Sequence, residues 1–323
     1  VIPDSIRKRI AALNRGRLQI VPATQAESPV ARAEPTYRAS EPTRVRLRPG
    51  PPPGVSESIG IDEAIPQLKE AHLPGGCCGF LDRRMADFFP NGVAAFEARY
   101  LRCLRSLRHP WVAQLLTDRL RPLATVPPES LMYVDIEATG FTSGTPLFLV
   151  GTLVLEPGSG FRLRQYLARN YGEEGVVLSL FTEQLEAAGA VVSFNGKRYD
   201  LPYLRERADY HAVPFPFTQP HIDLLHEGRA RFRHRLPNCK LQTLERMLCH
   251  RVRTGDIPGE DIPDAYHRFV RTGNALEMRD VVHHNALDLI TLAEVMMHVL
   301  MEPPTASGGG GRSRDRVSAG SSR

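Results

Sequence analysis

Apolar positions follow three different patterns along the 323-residue chain. Over residues 1–58 they keep no sustained period among Pro, Arg, Ser and Glu, and residues 49–54 read PGPPPG. That pattern predicts a mostly disordered leader. Residues 59–127 read as a small, mostly helical module, in which Val93–Leu107 spaces Phe96, Tyr100, Cys103 and Leu104 as on one helix. From 128 the texture changes, and LMYVDIEATG reads as a buried strand closed by Gly140. Leu147–Leu155 and Phe161–Leu167 predict two further strands, the second alternating. Helical periods follow at Glu173–Ala188 and Leu201–Tyr210, with short strands at Ala190–Phe194 and His221–Leu225. The rest predicts helix, ending in a long one over 275–300. Three leading strands followed by alternating helix and strand imply an α/β domain at 128–302, with a mixed central sheet flanked by helices. Residues 303–323, rich in Gly and Ser, predict a disordered tail.

Hydrophobic residues make up 42% of the chain, enough for a sizeable core, and no apolar run approaches the ~18 residues of a membrane span. The N-terminal residues hold no continuous apolar core of the secretory kind. Five cysteines without a CxxC pair support neither a disulfide framework nor a structural zinc site, so a reducing cytoplasm is expected. The net charge of +5 is uneven: 1–58 carries +5, 303–323 carries +3, and 59–302 carries −3. The basic excess therefore lies in the flanks and does not argue that the folded part binds nucleic acid.

Four carboxylates stand out. Asp135 and Glu137 are i and i+2 on a strand, so both project from one face, where a divalent metal is the usual way to hold two like charges together. Asp200 follows a buried strand and the turn Asn195-Gly196. It reads as a helix N-cap or as a group leaning over the sheet edge. The same turn could bring an amide to a phosphate. Asp288 is an acidic residue among apolar neighbours in VVHHNALDLITL, with His284 four residues before it on the same helical face and Asp280 four before that. Asp223 reads as structural. Between these segments Arg229, Arg231, Arg233 and Arg235 alternate; an extended backbone would line them up for phosphates, whereas a solvated loop would scatter them.

In YVDIEATGF, SFNGKRYDLPYL, HIDLLH, KLQTLE, GEDIPDAY and HHNALDLITLAE, the chain resembles the DEDD superfamily of 3′–5′ exonucleases. Within that superfamily it is similar to the bacterial YprB-like ribonuclease H-like proteins. The resemblance implies a ribonuclease H-like fold, with Asp135, Glu137, Asp200 and Asp288 as ligands of two Mg²⁺ or Mn²⁺ ions. It implies a histidine near Asp288 as the base. His284 fits the shorter family spacing and shares the Asp288 face; His283 fits the longer one. The implied activity is hydrolysis of nucleic acid, DNA or RNA, from a 3′ end, with a single-stranded end favoured. The expected substrate contacts are Asn195, Gly196, Arg229, Arg231 and Arg233. An endonuclease on the same fold, or a non-catalytic nucleic-acid-binding scaffold, are the alternatives.

Overall fold

The computed structural model describes residues 58–89 and 91–302, together with the backbone of one strand at Thr43–Arg46. Otherwise the segments read as leader and tail lie outside the described residues, and so do those readings. The chain opens with β1 (Thr43–Arg46), α1 (Ile61–Ala64), a hairpin of β2 (Lys69–Leu73) and β3 (Gly76–Arg84), then α2 (Val93–Ser106) and α3 (Pro110–Ala113). Three strands follow, β4 (Leu131–Ala138), β5 (Leu147–Glu156) and β6 (Gly160–Leu167), then α4 (Glu174–Glu186). The second half runs β7 (Ala190–Ser193), α5 (Asp200–Tyr210), β8 (His221–Asp223), α6 (Leu224–Phe232), α7 (Leu241–Leu248), β9 (Arg251–Thr254), α8 (Ile262–Thr272) and α9 (Leu276–Met301).

Seven strands make the main sheet, in the order β2-β3-β6-β5-β4-β7-β8. Pairing is antiparallel from β2 to β4 and parallel from β4 through β7 to β8. The parallel steps need crossovers, which α4 and α5 supply. This is the mixed α/β sheet expected of a ribonuclease H-like fold. The helical-module reading of 59–127 needs correction. Its β2–β3 hairpin extends the main sheet through β3 and β6, so the segment is not a separate helical unit. The Gly-, Cys- and Arg-rich run GCCGFLDRR hid a strand that buries Cys78, Gly79 and Leu81.

Strand alternation divides β4. Met132, Val134, Ile136 and Ala138 enter a core shared with α4, α5 and α8. Leu131 and Tyr133 enter a second core shared with α2 and the C-terminal half of α9. The first turns of α9 (Met278, Val281, Val282) belong to the first core, and from Ala286 onward the helix belongs to the second. His283, His284 and Asn285 occupy the changeover. There the helix crosses Gly151 of β5, where an added Cβ would overlap Asn285 Oδ1 and lie 2.8 Å from Leu289 Cδ1. Glycine at 151 is what allows this close approach.

Candidate active site

Asp135 and Glu137 continue the Leu131/Tyr133 face of β4, opposite Gly151 and Leu149 of β5. The register shifts between Glu137 and Ala138, so regular pairing breaks just beyond the second carboxylate. Asp200 comes to the same place from the parallel side. It is buried and opens α5, and the N-cap is Tyr199, so the capping role is not the one it takes. The turn before it is fixed by Asp223, whose carboxylate accepts from the Asn195 N–H (2.8 Å) and the Lys197 N–H (3.2 Å) and caps α6 by accepting from Leu225 N–H (3.0 Å). Asn195 has φ 63°, a left-handed conformation that asparagine tolerates. A Cβ at Gly196 would overlap Ser193 Oγ and sit 3.1 Å from Asp200 Oδ2. The Asn195 backbone amide is thus spent on Asp223.

Helix α9 brings the remaining groups. Asn285, fully buried, donates to Asp135 Oδ2 (2.8 Å) and to the Asp135 carbonyl (3.2 Å). His284 places Nδ1 3.0 Å from both oxygens of Asp256, and Nε2 3.5 Å from Asp288 Oδ2. A carboxylate only accepts, so Asp256 fixes Nδ1 as the donor and turns Nε2 towards Asp288. Arg253 of β9 pairs with Asp288 (2.5 Å), Glu245 (2.7 Å) and Asp256 (3.1 Å).

The electrostatics follow from crowding. Burial, then the charges of Glu137, Asp288 and Asp200, push the Asp135 carboxyl well above the usual carboxylate range. Burial, then Asp288 and Asp200, does the same to Glu137. Burial pushes Asp200 up to about 7, against backbone hydrogen bonds that favour its ionised form. Burial would also raise Asp256, but His284 and Arg253 outweigh it and hold that carboxyl below its ordinary value. Burial alone would lower His284; its bond to Asp256 and the Asp288 charge reverse this and hold it above the ordinary histidine value. His283 points elsewhere. It stacks on Phe88 (5.9 Å between ring centroids), and burial pushes it down to about 4.

The structure brings Asp135, Glu137, Asp200, His284 and Asp288 together and leaves the arginine run out. Residues 224–232 are helix, so the run is not extended. Arg231 is buried, bound to Glu227 (2.6 Å) and to the Glu302 carbonyl (2.7 Å). Arg229 and Arg233 are exposed, and Phe232 is a core residue. Arg253 of β9 does reach the site, through its pair with Asp288. Arg246, Arg253 and Asp256 line a cavity of about 450 Å³. Sequence reading missed Arg253, Asp256 and Asn285. The signal for Arg253 was present in RVRT, where Arg251 and Arg253 are i and i+2 and share one inward face.

Asp135, Glu137, Asp200 and Asp288 form an all-oxygen donor set. Three of them are raised by burial and by one another, as expected where a hard divalent cation belongs. The model of the RNase_H superfamily matches residues 132–300, a stretch that holds all four. The chain belongs to the RNase_H superfamily, a superfamily of nucleases. It is 27% identical over 175 residues to "Uncharacterized protein YprB" of Bacillus subtilis (strain 168), an alignment covering 53% of this chain and 42% of that protein. Among solved structures it is similar to the family B DNA polymerase from the hyperthermophilic archaeon Pyrobaculum calidifontis, with a TM-score of 0.43, 15% identity, and coverage of 54% of this chain and 25% of the other. The chain thus spans less than half the length of either relative.

Proposed function

We propose that this chain is a divalent-cation-dependent nuclease that removes nucleotides from the 3′ end of a nucleic acid. The observation that carries this reading is the convergence of four carboxylates from β4, α5 and α9 on a histidine already oriented by a fifth, Asp256. Asp135, Glu137, Asp200 and Asp288 would hold Mg²⁺ or Mn²⁺, two per site. Bound there, the cations would offset charge on the phosphate and make a water acidic enough to ionise. His284 is the base: Asp256 fixes its tautomer, and Nε2 faces the donor set beside Asp288. Phe141, 77% exposed and four residues beyond Glu137, offers a stacking surface for an unpaired terminal base, which favours a single-stranded end.

The test is product pattern. An oligonucleotide labelled at its 5′ end, incubated with protein and Mn²⁺, should shorten one nucleotide at a time from the 3′ end and release mononucleotides. Internal fragments at early times would mean an endonuclease. No cleavage with DNA or RNA, single- or double-stranded, would leave a binding protein with an idle site.

A further inference from the structure

Beside the first turns of α9 lies a cavity of about 380 Å³, lined by Arg83, Arg279, Asp280, His283 and Glu63 among others. Arg83 is the anomaly. Its guanidinium is largely buried, and no carboxylate among the described residues lies within ion-pair distance of it. Burial pushes its pKa down to about 10, with Asp87 giving partial support from farther off. It lies 4.6 Å from the Phe88 ring centroid, and that ring also stacks on His283. Among the described residues, Arg83 Nε and His283 Nε2 are buried without a hydrogen-bond partner. An orphaned buried polar group is destabilising, more so when charged. Both side chains line one cavity, where acceptor oxygens would satisfy them after a small shift.

Arg83 is also held in place. Its Nη2 donates to Gln165 Oε1. Gln165 Nε2 donates to the Val282 carbonyl and to Asn285 Oδ1 (2.8 Å each), and Asn285 donates to Asp135. Gln165 and Asn285 are fully buried, so the guanidinium is anchored through a closed polar chain with Nε left over. Asp280 at the cavity wall is paired with Arg279 (3.1 Å), which leaves Glu63 as the exposed acid of the lining. We propose that Arg83, His283 and Arg279 form a binding pocket for a phosphate oxyanion, distinct from the carboxylate cluster. A tetrahedral oxyanion has enough acceptors for a fork donor and an imidazole N–H at once. The phosphate is either one of the strand's own or a free phosphate.

The experiment uses the full chain in chelator, so that neither cation nor cleavage enters. Thermal midpoints are measured against inorganic phosphate, with chloride at matched ionic strength as control. Wild type should be stabilised by phosphate. The half-saturating concentration should rise at least about tenfold in Arg83→Gln and in His283→Gln, the order expected for a lost charge-assisted hydrogen bond. Arg83→Lys, which keeps the charge without the fork, should fall between. If circular dichroism shows Arg83→Gln unfolded, His283→Gln and Arg279→Gln carry the comparison. A fluorescent single-stranded oligonucleotide separates the sources. Competition by phosphate in wild type but not in His283→Gln identifies strand phosphates, and phosphate binding without competition identifies the free ion. No stabilisation of wild type, or equal stabilisation of wild type and variants, overturns the pocket and leaves the nuclease reading untouched.

Discussion

Both oxygens of Asp288 are partnered: Arg253 takes one, and His284 Nε2 stands 3.5 Å from the other. Arg253 is therefore the counter-charge of three carboxylates. Arg253→Gln should cost about 1–3 kcal/mol, because bonds to three charged groups weaken while Glu245 keeps Arg251, and Asp256 and Asp288 keep His284. Urea unfolding in chelator measures this, and Mn²⁺ should recover part of the loss. A variant as stable as wild type would mean that Arg253 is not the balancing charge. Asp200 carries a pH dependence of its own. Its pKa is pushed up to about 7, so the folded state holds the proton more tightly than the unfolded chain, where the value is near 4. Its contribution is full below pH ~4 and is lost as pH rises towards ~7. Wild type in chelator should therefore lose stability across that window, Asp200→Asn should lose less, and cleavage by the variant should be abolished. Thermal melts at pH 4.5 and 8 decide it; parallel declines would remove Asp200 from the crowded set. His284→Ala should keep substrate binding while single-turnover rates fall by ~10²–10⁴, the usual worth of a general base. His283→Ala should lose far less, and the reverse order of losses would favour the longer family spacing.

Among the elements, β4 and α9 supply the geometry and β5 permits it. Gly151 has no chemistry of its own, yet a methyl group there meets Asn285 and Leu289. Gly151→Ala should destabilise the protein by about 1–3 kcal/mol through overpacking. It should also depress cleavage by displacing Asn285 from Asp135, whereas Gly158→Ala, with open space around its Cβ, should spare cleavage. Paired melts and rates check this, and full activity in Gly151→Ala would sever the link between Asn285 and the site. The same elements show what was readable in advance. β4 and α9 were legible because their apolar positions keep periods of 2 and 3.6 over long runs, and the acidic residues interrupt those runs visibly. The arginine run misled because GRARFRHR has a period of 2 in its charges, while its buried positions Gly228 and Phe232, with Leu224 before them, step by four, as a helix does. β9 was missed because its inward residues are arginines, whose burial depends on Glu245, Asp256, Asp288 and Glu294, contributed by α7, α9 and the stretch after β9. No local pattern encodes a strand whose core is an ion-pair network.

At the scale of the whole molecule, charge and backbone pairing divide the N-terminal segment in a way that sequence reading did not foresee. Residues 1–40 carry seven Lys/Arg against three Asp/Glu, a net +4, while 59–302 carries −3. Residues 43–46, by contrast, form β1, which pairs in parallel with β9 from Thr43↔Arg251 to Arg46↔Thr254. One stretch offers charge; the other braces the strand that holds Arg251 and Arg253. Two truncations separate these contributions. Removing 1–40 should weaken oligonucleotide binding at low salt, with the difference fading as ionic strength rises, and should leave turnover at saturating substrate unchanged. Removing 1–58 should add a stability loss of about 1–3 kcal/mol that salt does not erase, since ladder hydrogen bonds at roughly 1 kcal/mol each are lost from β9. Turnover should then fall as well, because β9 carries the guanidinium that pairs with Asp288. Anisotropy at two salt levels, urea unfolding and single-turnover rates on the three proteins separate the effects. Equal stability of the two truncations would show that β1 does not brace β9, and a salt-independent binding loss on removing 1–40 would show that those residues bind substrate by something other than charge.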